Sequence, residues 1–145
     1  MRIIKVMLLG LALFGLVASA TAQEAKPYKE GMVTQLSYIK VKPGKFDDYM
    51  KYLGGNYKKL MEANIKAGLV VRYGIYSTQA RTPHDPDLIL SITYPNYAAL
   101  DKVDEADGIA AKVMGSSDVR DKATIDRGAL REVLGGELVR ELILK

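Results

Sequence analysis

Cysteine and tryptophan are absent from this chain, and histidine occurs once, as His84. The missing thiol excludes disulfides, cysteine nucleophiles and thiolate metal centres together. A P-loop frame is also lacking, because Pro43-Gly44-Lys45 stands without the G-x-x-x-x-G-K-S/T pattern. No serine sits in a G-x-S-x-G setting. These absences lead to the expectation of a protein with no intrinsic cofactor. Charge of one sign is not concentrated either. Lysine and arginine number 21 against 17 acidic residues, and the two signs are interspersed, as in Lys40 and Lys42 against Asp47 and Asp48. Nucleic-acid binding needs a concentrated basic patch to displace phosphate counterions, so it is not expected.

What is present begins with a targeting pattern. Met1-Arg-Ile-Ile-Lys5 is positive, Val6 to Val17 is apolar throughout, and small residues follow at Ala18-Ser-Ala-Thr-Ala22. Residues 1–22 therefore have the form of a cleaved secretory signal peptide, with cleavage after Ala22 or, second, after Ala20. The apolar run is shorter than the roughly 20 residues a membrane span needs, so no stable anchor is expected after cleavage. An uncleaved N-terminal anchor is the alternative. The expected location is periplasmic or secreted, and the net charge of +4 falls by two when Arg2 and Lys5 leave. Residues 23–31 read as a flexible leader, and residues 32–145 as a single α+β domain long enough for one core.

Within that domain, apolar residues occur on both alternating faces of a strand at residues 32–41, with Leu36 and Tyr38 opposite Ile39 and Val41. From Phe46 the period becomes three to four, through Tyr49, Leu53, Tyr57, Met61 and Ile65, which predicts a helix closing at Gly68. Gly54-Gly55 interrupts it, for a close approach, a kink or a break. Strands are predicted at 69–77 and 88–94, followed by a helix capped by Asn96. Residues 105–118 are ambiguous, 119–134 read as a helix ending at Gly135-Gly136, and 138–144 as a last strand. The order β-α-β-β-α-β matches the ferredoxin-like motif, an antiparallel sheet with helices on one face. The bare face, carrying Leu36 and Tyr38, predicts a homodimer interface, since a second copy covers both sheets at once.

Three stretches resemble the dimeric α/β-barrel superfamily, especially its antibiotic-biosynthesis-monooxygenase-like and NIPSNAP-like domains. They are Ile39-Lys-Val-Lys-Pro-Gly-Lys-Phe46, Gly68-Leu-Val-Val-Arg-Tyr-Gly-Ile-Tyr76, and Leu88 through Tyr94-Pro-Asn-Tyr-Ala-Ala-Leu100. The resemblance implies pairing into a dimeric α/β barrel. Tyr94 stands where members often have tryptophan, Val103 where many have histidine, and Ser37 where the haem-degrading branch has asparagine. Haem-degrading chemistry thus finds no matching residues here.

The remaining chemistry lies in the tyrosines. Tyr73 and Tyr94 fall in strands that this topology makes neighbours, and Gln35 and Ser37 share the strand face turned toward the helices in that superfamily. Together they outline a ligand pocket between sheet and helices for a small apolar or aromatic molecule. The same tyrosines serve equally well as core and interface residues. His84 is a weak candidate for general base, since a loop histidine between Pro83 and Asp85 is ordinarily solvated. With Asp85 and Asp87 it would make only an irregular hard-ligand cluster, and no metal site is expected. Three readings stay open: a ligand-binding exported homodimer, a cofactor-independent monooxygenase or isomerase acting on an aromatic or quinoid substrate, and a structural envelope protein.

Overall fold

The computed structural model describes residues 26–145; the signal-peptide reading lies outside the described residues. Strand β1 spans Tyr28–Val41, and its partners set the architecture. It is central in a four-stranded antiparallel sheet of order β2-β3-β1-β4, where β2 is Arg72–Ser77, β3 Leu88–Tyr94 and β4 Arg131–Leu144. This is the ferredoxin-like α+β arrangement. The leader is shorter than composition indicated. Tyr28, Lys29 and Glu30 pair with Leu144, Ile143 and Leu142, and backbone pairing outweighs their polarity.

Helix α1 (Phe46–Tyr52) follows the Pro43-Gly44 turn, where Gly44 takes a φ of 73° that side chains disfavour. The chain then widens into a π-helical turn, Leu53–Tyr57, before α2 (Lys58–Lys66). Of the three accounts of Gly54-Gly55, close approach is corrected, because a Cβ on either glycine would meet nothing within 4 Å. Residues four apart on a regular α-helix drift by about 40°, so Tyr57 would turn about 80° away from Tyr49. The wider turn takes up that drift. Tyr49 and Leu53 are accordingly buried, and Tyr57 still reaches the sheet, its ring edge-on to Tyr73 of β2 at 5.8 Å.

The core lies between these helices and one face of the sheet: Ile39, Val41, Tyr49, Leu53, Leu88 and Leu90. Gln35, Ser37, Leu90 and Ile92 stand on that same face, by the pairing of β1 with β3. Strand β2 begins at Arg72 rather than residue 69, because Leu69 and Val70 are buried in the connection and donate their N–H groups to the Asn64 carbonyl.

The second half of the chain departs more from expectation. Asn96 does cap a helix, its Oδ1 accepting from Ala99 N at 3.1 Å, but the helix is a 3₁₀ turn, Tyr97–Asp101. The ambiguous segment forms α3 (Val103–Met114), and α4 is Ser117–Gly128. The predicted helix over 119–134 is thus corrected: its last turn is the start of β4. Residues 131–133 pair with Val41, Lys40 and Ile39 of β1, and that tertiary pairing overrides a local pattern compatible with either state. Leu134 is an extra residue in β4, a bulge between the pairs Tyr38–Gly135 and Ile39–Val133.

Candidate functional site

A ferredoxin-like sheet is ordinarily covered by two helical layers, side by side, on one face. Here α1, the π turn and α2 cover the β2-β3 side. Helix α3 packs on α2, and α4 packs sparsely on α3 and β4. The helix-side surface along β1 and β4 is left as an open trough of about 680 Å³, lined by Gln35, Ser37, Leu100, Val133, Gly136 and Leu138 among others. Its lining is largely apolar, with Gln35, Ser37 and Glu137 as the polar residues, the Glu137 carboxylate being engaged by the Tyr38 hydroxyl. Gly136 fits because its backbone lies close to β1; a Cβ there would stand 2.6 Å from the Leu36 carbonyl oxygen. At the far end the Arg140 guanidinium lies over the Tyr97 ring at 4.3 Å and pairs with Glu30. That contact ties the 3₁₀ turn bearing Leu100 to β4.

Ser37 also lines a second, deeper cleft of about 120 Å³, adjacent to the trough. Tyr49, Tyr52, Leu53 and Tyr57 form its helical wall, Leu90 and Ile92 its floor, and Arg127 and Arg131 its outer side. The arginines come from the junction of α4 and β4, which brings two cations four residues apart to one edge. Arg127 donates through Nη1 to the Tyr52 hydroxyl at 3.1 Å and lies over that ring, while Arg131 lies over the Tyr49 ring at 5.7 Å. Cation–π contact offsets part of the cost of holding the guanidiniums there. The arginines that form ion pairs among the described residues are Arg120 and Arg140, so Arg127 and Arg131 face the cleft without a carboxylate.

The electrostatics follow from this arrangement. Burial pushes the Tyr49 hydroxyl above its ordinary pKa, against the pull of Arg131 and Arg127. Burial and the surrounding tyrosines push Tyr57 up strongly. Burial, then the nearby Arg127, pull Arg131 down from its usual value. Both phenols are therefore protonated donors near neutrality. Yet the hydroxyl oxygens of Tyr49 and Tyr57 are buried with no hydrogen-bond partner among the described residues. Two buried, unpartnered donors beside two cations make this edge of the sheet electropositive.

Of the residues singled out in the sequence, Gln35 and Ser37 line the trough, and Tyr94 donates to Gln35 Oε1 at 3.4 Å. Tyr94 also lines a separate cleft of about 250 Å³ between α2 and α3. Tyr73 packs edge-on against Tyr57. His84 is exposed in the 78–87 loop. Its acidic neighbours serve the loop itself. Asp85 accepts from the Arg81 and Thr82 backbone N–H groups at 2.8 Å, and Asp87 accepts from Lys40 Nζ at 3.0 Å and Val41 N at 2.8 Å. No metal-holding cluster occurs among the described residues. Leu36 and Tyr38 lie on the opposite, open face, half-buried, where the Tyr38 hydroxyl donates to Glu137 Oε1 at 3.2 Å. Arg127 and Arg131 were missed in the sequence, because a helix running through both hides that they flank a strand start. Tyr49, Tyr52 and Tyr57 lay in the first helix, Tyr49 and Tyr57 on the periodic stripe that marks a helix core.

Comparison with known proteins bears on the fold. Neither a protein-family model nor a curated protein matches the sequence. Among solved structures, protein SO0527 from Shewanella oneidensis is similar at a TM-score of 0.50 and 15% identity, over 80% of this chain and 98% of that one. A dimeric ferredoxin-like protein from an uncultured marine organism is similar at a TM-score of 0.50 and 10% identity, over 81% of this chain and 90% of that one. At such identities the likeness is one of fold.

Proposed function

We propose that this protein is an exported homodimer that binds a small apolar or aromatic molecule in the trough between β1, β4 and the 3₁₀ turn. The observation that carries the reading is the trough itself. A concave apolar surface with a few convergent polar groups is what small organic ligands require, and the uncovered β1-β4 surface supplies it with Gln35 and Ser37 at its base. The N-terminal pattern of residues 1–22 supports export. The open face of the sheet supports pairing: Leu36, Tyr38, Ile89, Tyr76 and Val139 share it, and Tyr76 and Val139 are exposed. A second copy laid on that face covers both sets of side chains and leaves the two troughs outside. The dimeric ferredoxin-like protein from the marine organism is a precedent for the same fold assembling as a pair. Membership in the antibiotic-biosynthesis-monooxygenase-like or NIPSNAP-like domains rests on the sequence stretches already quoted.

A fluorescence titration with N-phenyl-1-naphthylamine, an uncharged apolar reporter, tests the binding reading. Saturable enhancement that Leu138→Lys abolishes is the expected result. Enhancement unchanged by Leu138→Lys, or none at all, would refute it.

A further inference from the structure

We infer that the cleft between Tyr49, Tyr57, Arg127 and Arg131 is an oxyanion pocket, which takes the negatively charged head group of an aromatic ligand whose apolar body lies in the adjoining trough. The inference rests on the trough-binding reading and adds the chemical class of the ligand.

Four observations converge. The cleft and the trough adjoin at Ser37, which lines both, so a molecule in one lies one side chain from the other. The cleft is about 120 Å³, the size of a head group rather than a whole ligand. Tyr49 is 0% exposed, and its hydroxyl has no partner among the described residues, as is also true of Tyr57. A buried donor left unsatisfied is costly, and such groups concentrate where a ligand completes them. Finally, Arg127 and Arg131 hold two like charges at one edge of the cleft with no carboxylate beside them among the described residues.

Like charges brought together in a half-buried site repel, and an anion between them reverses the sign of that interaction. The guanidinium-bearing residues line the cleft and the phenolic hydroxyls lie buried in its wall, so an oxyanion in the cleft meets the arginines directly and draws the phenols to it as their side chains shift. Leu53, Leu90 and Ile92 exclude water around it, which strengthens each hydrogen bond it accepts. Carboxylate and phosphate share this chemistry, and the experiment separates them.

The test is isothermal titration calorimetry of the full mature protein with 2-naphthoate, 2-naphthyl phosphate and the neutral 2-naphthamide. At least one anion should bind tenfold or more tighter than the amide, and the stronger anion identifies the head group. Arg127→Gln and Arg131→Gln should each bring that ratio toward one, the anion losing more affinity than the amide. The wild-type ratio stands without any variant, should Arg131→Gln disturb the start of β4. Equal binding of all three probes would overturn the oxyanion pocket and leave the trough reading intact. Failure of all three to bind would overturn both.

Discussion

Tyr49→Phe removes one buried, unpartnered oxygen atom from the wall of the proposed pocket and nothing else. The ring is fully buried, stacked on Tyr52 at 6.2 Å, and its hydroxyl is without a partner among the described residues. Leaving a buried donor unsatisfied costs about 1–3 kcal/mol. The attraction of Arg131 and Arg127 for the phenolic oxygen offsets part of that here. Phenylalanine should therefore stabilise the ligand-free protein by about 1 kcal/mol, which raises Tm by about 4 °C for a domain of this size. Differential scanning calorimetry of the ligand-free protein reads the shift, and calorimetric titration with 2-naphthoate should show weaker binding by the same variant. Gain of stability with loss of affinity is the signature of a hydroxyl kept for a ligand. A Tm lowered by several degrees would mean that the hydroxyl already holds the fold together, and the reasoning would fail.

The remaining expectations concern the scaffold. Leu36→Lys places a charge on the open sheet face, so sedimentation velocity should show monomers where the unmodified protein sediments as a dimer; a monomeric unmodified protein would refute the sheet-to-sheet pairing. At Asp87, burial opposes ionisation, but the hydrogen bonds from Lys40 and Val41 and the charge of Lys40 outweigh it, and the carboxyl titrates below its ordinary 3.8. A depressed folded-state pKa contributes stability above that value and loses it as pH falls through the folded one. Asp87→Asn should thus lower Tm at pH 7 and narrow its gap to the unmodified protein at pH 3. Gly136→Ala forces a Cβ to 2.6 Å from the Leu36 carbonyl oxygen, and strain of that kind costs about 1–3 kcal/mol, measurable by urea unfolding.

The strands and the first helix were legible because their signals are local. Strand β3 at Leu88–Tyr94 and the cap at Asn96 appear in the structure as the sequence pattern placed them. The first helix was legible from Phe46, although its π turn was not. The boundary between α4 and β4 was not legible, because residues 131–134 are strand through pairing with β1, a contact no local pattern contains. The arginines that line the cleft, Arg127 and Arg131, went unseen for the same reason. The leader error at β1, residues 28–31, was harmless; the helix overrun into β4, residues 131–134, hid the cationic edge of the cleft. The trough, too, depends on where α3 packs, which neither its composition nor its period encodes. Gln35 and Ser37 were recognisable as polar residues on an otherwise core-facing strand, the one signal of a cavity that periodicity can carry.

The proposed occupant of the trough along β1 and β4 is a small aromatic molecule. Amide chemical-shift mapping by heteronuclear NMR, with uncharged 2-naphthamide as the probe, tests it most directly. Saturable shifts gathered at Gln35, Ser37, Leu100, Gly136 and Leu138 are expected. Shifts gathered instead at Gly74, Tyr76, Ser91 and Thr93 on the open face, or none up to the solubility limit of the probe, would contradict it.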